Sequence, residues 1–359
     1  MRSIYARLLR RLEEKKPFAL ATIIETRGST PQMPGASAVF SSGGLLAGTL
    51  GGGLLEVEAQ KKAQQALKQK ASLLFRFQLE GDLSSEEAVV CGGQVRIVID
   101  ACPESHHEAI QNLNRSLSQR IPGILATFID CLSAEEVSLT RFWIEKKSLL
   151  ELPEILSSFK DEMERVSLEN KPHLVRFEKD LLPPKMQERF LFFEPVFPLP
   201  RLVIAGAGHI GQAICHLGAL LDFEVAVIDD RPEFGNRERL PDADHILVGD
   251  IEEVIRDFSI SPDTYVVIVT RGHRQDAEAL RACILSDAAY IGMIGSVRKV
   301  GLMRKQFIKE GWATPPQFDR VYAPIGAPIH SKTVEEIAVS IAAQLVLVRS
   351  QAQTENKEV

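Results

Sequence analysis

No run of apolar residues in the 359-residue sequence approaches the roughly 18 to 20 needed to cross a bilayer, so a membrane-spanning helix is excluded and no membrane partner is expected. The opening MRSIYARLLRRLEEKK carries charge throughout and is followed by no apolar core of about 7 to 15 residues, so it does not read as a secretory signal. The expected location is the cytoplasm. Positive charge is not in excess either: 42 Lys and Arg stand against 48 Asp and Glu, they are scattered, and the net charge of -6 leaves no footprint for nucleic acid. Cysteines are few. Cys91, Cys102, Cys131, Cys215 and Cys283 are odd in number and widely spaced, which argues against a disulfide framework and against a CxxC-type metal site.

What is present suits two soluble domains, since 359 residues exceed one ordinary α/β domain and each half can bury a core. In the first half, Ile4, Leu8, Leu9 and Leu12 have helical spacing and FALATIIE reads as a buried strand. ASAVFSS and LLAGTL form a hairpin pattern around Gly43-Gly44, and LLEVEAQKKAQQALKQK is helix-forming. LLFRFQL, QVRIVIDA and GILATFID are further strands, with HHEAIQNLNRSLSQR a helix before the last. This mixture predicts an α+β domain over 1–197, with a looser segment at about 132–197 holding a helix at LPEILSSFKDEMERV and a strand at RFLFFEP. PVFPLPR, three prolines in seven residues, marks the linker. Residues 198–359 then alternate six strand patterns (RLVIA, EVAVID, HILVG, YVVIVT, AYIGMIG, VYAPI) with helices, the pattern of a Rossmann-like doubly wound parallel sheet.

RLVIAGAGHIGQ opens that half with the fingerprint Gly206-x-Gly208-x-x-Gly211 between a strand and a helix. Gly206 suits a tight turn, Gly208 a close backbone approach to a pyrophosphate beside His209 at the helix start, and Gly211 helix-to-strand packing. Asp229 closes the next strand, eighteen residues beyond Gly211, where it can accept from ribose hydroxyls and would disfavour a 2′-phosphate, so NAD or another ribose-bearing dinucleotide suits better than NADP. The alternative is a tight turn that binds nothing. Three later loops fall at predicted strand ends: TRGHRQD, IGSVRK and PIGAPIH. In them His273 is a proton donor, a ligand or a capping loop histidine, Arg271 and Arg274 are anion holders, and Gly295 and Ser296 sit where a helix begins. Thr333 with Glu336 forms a capping box for the last helix.

The first half has a glycine run of its own. In GTLGGGLLEVEA a strand leads through Gly51, Gly52 and Gly53 straight into a helix, either a second anion site at a helix start or a tight turn. Cys91 precedes two glycines and is sterically open by sequence. A capping box at Ser84 and Glu87 would put it at a helix C-terminus, where thiolate is disfavoured, and the alternative is a buried, inert thiol.

Taken together, GSTPQMPGA, GTLGGGLLE, CGG, GAGHIG, DDRPEF, TRGHRQD, IGMIGS and PIG...EEIAVSI resemble the XdhC/CoxI family of xanthine dehydrogenase accessory proteins, over roughly residues 15–110 and 200–345. The resemblance implies a maturation factor rather than an independent oxidoreductase. Such a factor binds the molybdenum cofactor (molybdopterin), supports its sulfuration with sulfur from a cysteine desulfurase, and delivers it to an apo xanthine dehydrogenase-type hydroxylase. Gly51 to Gly53 would then face the cofactor phosphate, and Cys91 is the candidate persulfide carrier. The chain departs from the family pattern at Gln32, where a basic residue is common, and at His330 and Ser331. An NAD-dependent oxidoreductase and a non-catalytic nucleotide-binding regulator are the other readings. A symmetric homodimer is the commonest assembly in general, and the sequence carries no direct sign of one.

Overall fold

The computed structural model describes residues 4–79, 93–148, 152–178, 186 and 188–355, with side chains to 351. Contacts divide the chain into two compact units, Ser3–Pro198 and Leu199–Val359.

The first unit is built on a nine-stranded antiparallel sheet. Its strands are β1 (Ala19–Arg27), β2 (Ser37–Ser41), β3 (Gly44–Gly48), β4 (Ser72–Gln78), β5 (Gln94–Asp100), β6 (Gly123–Cys131), β7 (Glu136–Glu145), β8 (His173–Arg176) and β9 (Glu188–Val196). They lie in the order β3-β2-β1-β5-β4-β7-β6-β9-β8. Helices α1 (Ile4–Glu13), α2 (Gly53–Gln69), α3 (His107–Ser118) and α4 (Lys160–Glu169) cover it. The alanines of α2 explain its close seat: Ala59, Ala63 and Ala66 pack with Leu55 against Ala21, Ile23, Val95 and Ile97. A separate core joins Ile24, Leu74 and Val98 to Ile129, Val137, Phe190 and Phe192, drawing on both halves of the sheet. The two halves are joined by a short seam: β4 pairs with β7 at Ser72 and Leu73, and the Leu74 N–H donates to the Glu135 carbonyl at 2.7 Å.

The segment about 132–197 does not stand apart from this sheet. It supplies β7, β8 and β9, of which the sequence pattern announces only β9. Alternation is hidden in β7 because Arg141 occupies a buried position, its guanidinium 3.1 Å from the fully buried Asp100.

The second unit is doubly wound. Strands β10 (Arg201–Ala205), β11 (Glu224–Asp229), β12 (His245–Val248), β13 (Thr264–Ile268) and β14 (Tyr290–Met293) are all parallel, in the order β12-β11-β10-β13-β14. The helices are α5 (His209–Leu220), α6 (Ile251–Asp257), α7 (His273–Cys283), α8 (Val297–Lys309), α9 (Pro315–Asp319) and α10 (Val334–Glu355). Ile255, Leu280, Met303 and Phe307 fill one face of the sheet, and Ile214, Ile341 and Leu345 fill the other. The sixth strand expected at VYAPI shrinks to one parallel bridge, Gly292 to Tyr322. Pro324 has no N–H with which to extend it. Order reverses between β10 and β13, which places a crevice at the carboxyl ends of those strands, the position where open α/β sheets receive ligands.

Candidate functional site

In the second unit the glycine turn leaves β10 and enters α5. Gly206 has φ 115°, and a β-carbon there would lie 2.5 Å from the Val269 carbonyl oxygen. At Gly211 it would lie 1.9 Å from the Gly206 oxygen. Gly208 caps α5 with open space beside it, and His209 follows, exposed. Two glycines are therefore demanded by packing and one leaves room for a ligand.

Asp229 lies beneath this turn. Its carboxylate accepts from the Ala207 N–H at 2.7 Å, from the Arg231 N–H at 3.0 Å and from the Arg231 guanidinium at 2.8 and 3.0 Å. Burial pushes its pKa upward, but the Arg231 bonds and the two N–H groups prevail and hold it below the usual range. The next carboxylate, Asp230, is more open and accepts from Arg271 at 2.7 Å and Gln275 at 3.0 Å, so the loops after β11 and β13 are tied together. Arg271 is thus paired with Asp230. Ser296 caps α8, accepting from the Lys299 N–H at 3.2 Å, and Gly295 lies against the Lys299 stem. His273, at the start of α7, lines a cavity of about 300 Å³ with Ala277, Arg281, Gln306 and Trp312, and no glycine-turn residue shares that lining.

A cluster that the sequence reading left without a role joins two of these loops. Asp276, fully buried on α7, accepts from the Thr270 hydroxyl at 2.6 Å and N–H at 3.2 Å and pairs with the Lys299 ammonium. All three residues lie in TRGHRQD and IGSVRK, but nothing in their spacing announces that they meet. The capping box at Thr333 and Glu336 is present, with bonds of 3.2 and 3.1 Å.

In the first unit, three glycine motifs far apart in sequence converge. A β-carbon on Gly51 would lie 2.7 Å from Pro31 and 3.2 Å from Gln32 Cγ, and one on Gly93 would lie 2.2 Å from the Ser29 oxygen and 2.8 Å from Thr30. GSTPQ is thus pressed between the GGG turn and the last glycine of CGG. Gly52 (φ 73°) and Gly53 (φ 58°) face open space where α2 begins, and the first N–H groups of a helix lack intrahelical partners. Glu56 reaches back from the first turn of α2 to accept from the Leu50 N–H at 3.0 Å and the Thr49 hydroxyl at 2.9 Å, and that hydroxyl accepts from the Gly51 N–H. Cys91 lies outside the described residues.

Residues 11–78 match the model of the XdhC and CoxI family, and residues 202–345 match the XdhC Rossmann domain. The chain belongs to the XdhC and CoxI family. Two curated proteins are similar along nearly all of it. One is a probable xanthine dehydrogenase subunit of Bacillus subtilis (strain 168), 26% identical over 347 residues that cover 94% of this chain and 95% of that protein. The other is the uncharacterized protein YqeB of Escherichia coli (strain K12), 26% identical over 344 residues that cover 95% of this chain and 46% of that protein. The crystal structure of a xanthine dehydrogenase from Bacillus halodurans shares the fold with TM-score 0.74 and 25% identity, covering 98% of this chain and 96% of that one. Both matched family segments carry one of the glycine turns: Gly51 to Gly53 in the first, Gly206 to Gly211 in the second. No helix among the described residues is long and apolar enough to cross a membrane.

Proposed function

We propose that this protein serves the maturation of a xanthine dehydrogenase-type molybdenum hydroxylase: it binds the molybdenum cofactor as cargo, supports its sulfuration and delivers it to the apoenzyme. The observation that carries this reading is the convergence of GSTPQ, GGG and Gly93 on one face of the first unit, with Gly52 and Gly53 open at the start of a 17-residue helix. A terminal phosphate can approach backbone there without meeting a side chain. Glu56 fixes the turn from beneath by taking the Leu50 N–H. Cys91, two residues before Gly93, is our candidate sulfur carrier, with a cysteine desulfurase as the donor partner. The near full-length similarity to a protein named for xanthine dehydrogenase supports the choice of client.

A second reading is favoured by the open Gly208: the Rossmann unit holds a dinucleotide such as NAD, as a regulator or for turnover. Reconstitution separates the two. Cofactor-loaded protein added to apo-hydroxylase should restore hydroxylase activity, and Cys91→Ser should still transfer cofactor but yield the inactive oxo form. Turnover of NAD by the protein alone, without activation of the apoenzyme, would select the second reading.

A further inference from the structure

Where β4 and β7 part company, the first unit carries a half-open cavity of about 560 Å³, lined by Leu74 to Phe77, by Cys131, Ser133 to Glu135 and Glu188, and by Glu58 and Lys62 of α2. Arg96 lies in its wall with a side chain 5% exposed and its guanidinium over the Phe190 ring at 4.7 Å. Its nearest carboxylate, Glu25, approaches Nε to 3.3 Å, yet neither Nε nor Nη1 has a hydrogen-bond partner among the described residues. Directly opposite in the β4 to β5 ladder stands a second arginine, Arg76, also in the cavity wall. Buried guanidinium donors without partners are destabilising, and like charges facing each other across a ladder are too.

An anion between the two guanidinium groups relieves both penalties at once, and paired arginines match the geometry of phosphate and carboxylate oxygens. The volume falls within the range of small-molecule sites and exceeds what a bare ion needs. The opposite wall offers carboxylates: Glu188, and Glu135, which is bonded to Lys62 at 2.8 Å. A ligand with an oxyanion at one end and N–H or O–H donors at the other suits both walls. Burial raises the Cys131 thiol to about 11, so the wall supplies no thiolate at neutral pH and the site is one for binding.

We infer that Arg76 and Arg96 form a binding site for the phosphate or carboxylate group of a small organic metabolite, a site separate from either glycine turn. The experiment is calorimetric titration of the full-length protein with inorganic phosphate and, separately, acetate, with sodium chloride at matched ionic strength as the blank, alongside thermal melts. Saturable binding of one oxyanion is expected, and which one responds assigns the phosphate or the carboxylate class. Arg76→Gln, on an exposed strand position, should weaken it at least about tenfold without lowering the melting temperature of the ligand-free protein. Arg96→Met removes the buried guanidinium and should abolish binding, and its thermal melt shows whether the variant folds. If Arg96→Met does not fold, Arg76→Gln decides alone. No binding beyond the chloride blank, or equal binding by wild type and Arg76→Gln, would overturn the inference.

Discussion

The two glycine turns read alike in sequence and are built on different physical demands. Each follows a strand, precedes a helix and has a carboxylate accepting a backbone N–H just before that helix: Asp229 on Ala207 in one, Glu56 on Leu50 in the other. In the Rossmann turn two glycines are fixed by contact, since a β-carbon at Gly206 or Gly211 would strike backbone oxygen. In the GGG turn only Gly51 is crowded, by side chains of GSTPQ, while Gly52 and Gly53 are required by positive φ in open space. A glycine held by packing speaks of fold. One held by conformation at an open helix start speaks of what must approach it.

That contrast breaks most visibly at Gly211. Gly211→Ala drives a methyl into the Gly206 carbonyl and should destabilise the second unit by roughly 3 kcal/mol or prevent its folding, whereas Gly208→Ala should change stability by less than about 1 kcal/mol. Chemical denaturation of both variants checks this, and equal losses would contradict the division of roles. Asp229→Ala strands the Ala207 N–H and the Arg231 guanidinium and should cost about 2 to 3 kcal/mol in the same assay. Glu56→Ala leaves more exposed groups unpaired in the other turn, and about 1 kcal/mol is expected.

The smallest effect separates the units by pH. Asp229 has its pKa lowered in the folded state, so its contribution is present above the unfolded value and lost as pH falls through the lowered one. Glu194 in β9 has the opposite sign. Burial raises it to about 7 despite the Tyr5 hydroxyl that donates to it, so its contribution is complete below its ordinary value of 4.5 and lost as pH rises through about 7. Melts from pH 5 to pH 8 should weaken the first unit by on the order of 1 kcal/mol, since Glu194 is only part-buried, and Glu194→Gln should remove that slope. A slope that survives the substitution would exclude Glu194 as its source.

The parallel unit was nearly transparent in sequence because buried strands such as RLVIA and YVVIV are continuous apolar runs bounded by turns. The half-buried strands of the antiparallel unit were less so. β7 interleaves Arg141 with Val137 and Leu139, and only the fully buried Asp100, on a distant strand, explains a charge at that position. For the site, single motifs were legible and partnerships were not. Asp229 was visible as a strand-end carboxylate, but its occupation by Ala207 and Arg231 depends on how the chain turns after β11. Asp276 and Lys299, 23 residues apart, needed two loops to fold beside each other. Arg76 and Arg96 needed the register of β4 against β5.

The central claim, that the GGG turn is the cofactor-binding one, is tested most directly by mass spectrometry of small molecules retained by purified protein after incubation with molybdenum cofactor. The variants are Gly53→Asp, which puts a carboxylate into the open space with a residue that tolerates left-handed backbone, and Gly208→Ala. The account predicts molybdopterin retained by wild type and Gly208→Ala and lost from folded Gly53→Asp. Molybdopterin retained by Gly53→Asp and lost from Gly208→Ala would contradict it and move the cofactor to the Rossmann turn.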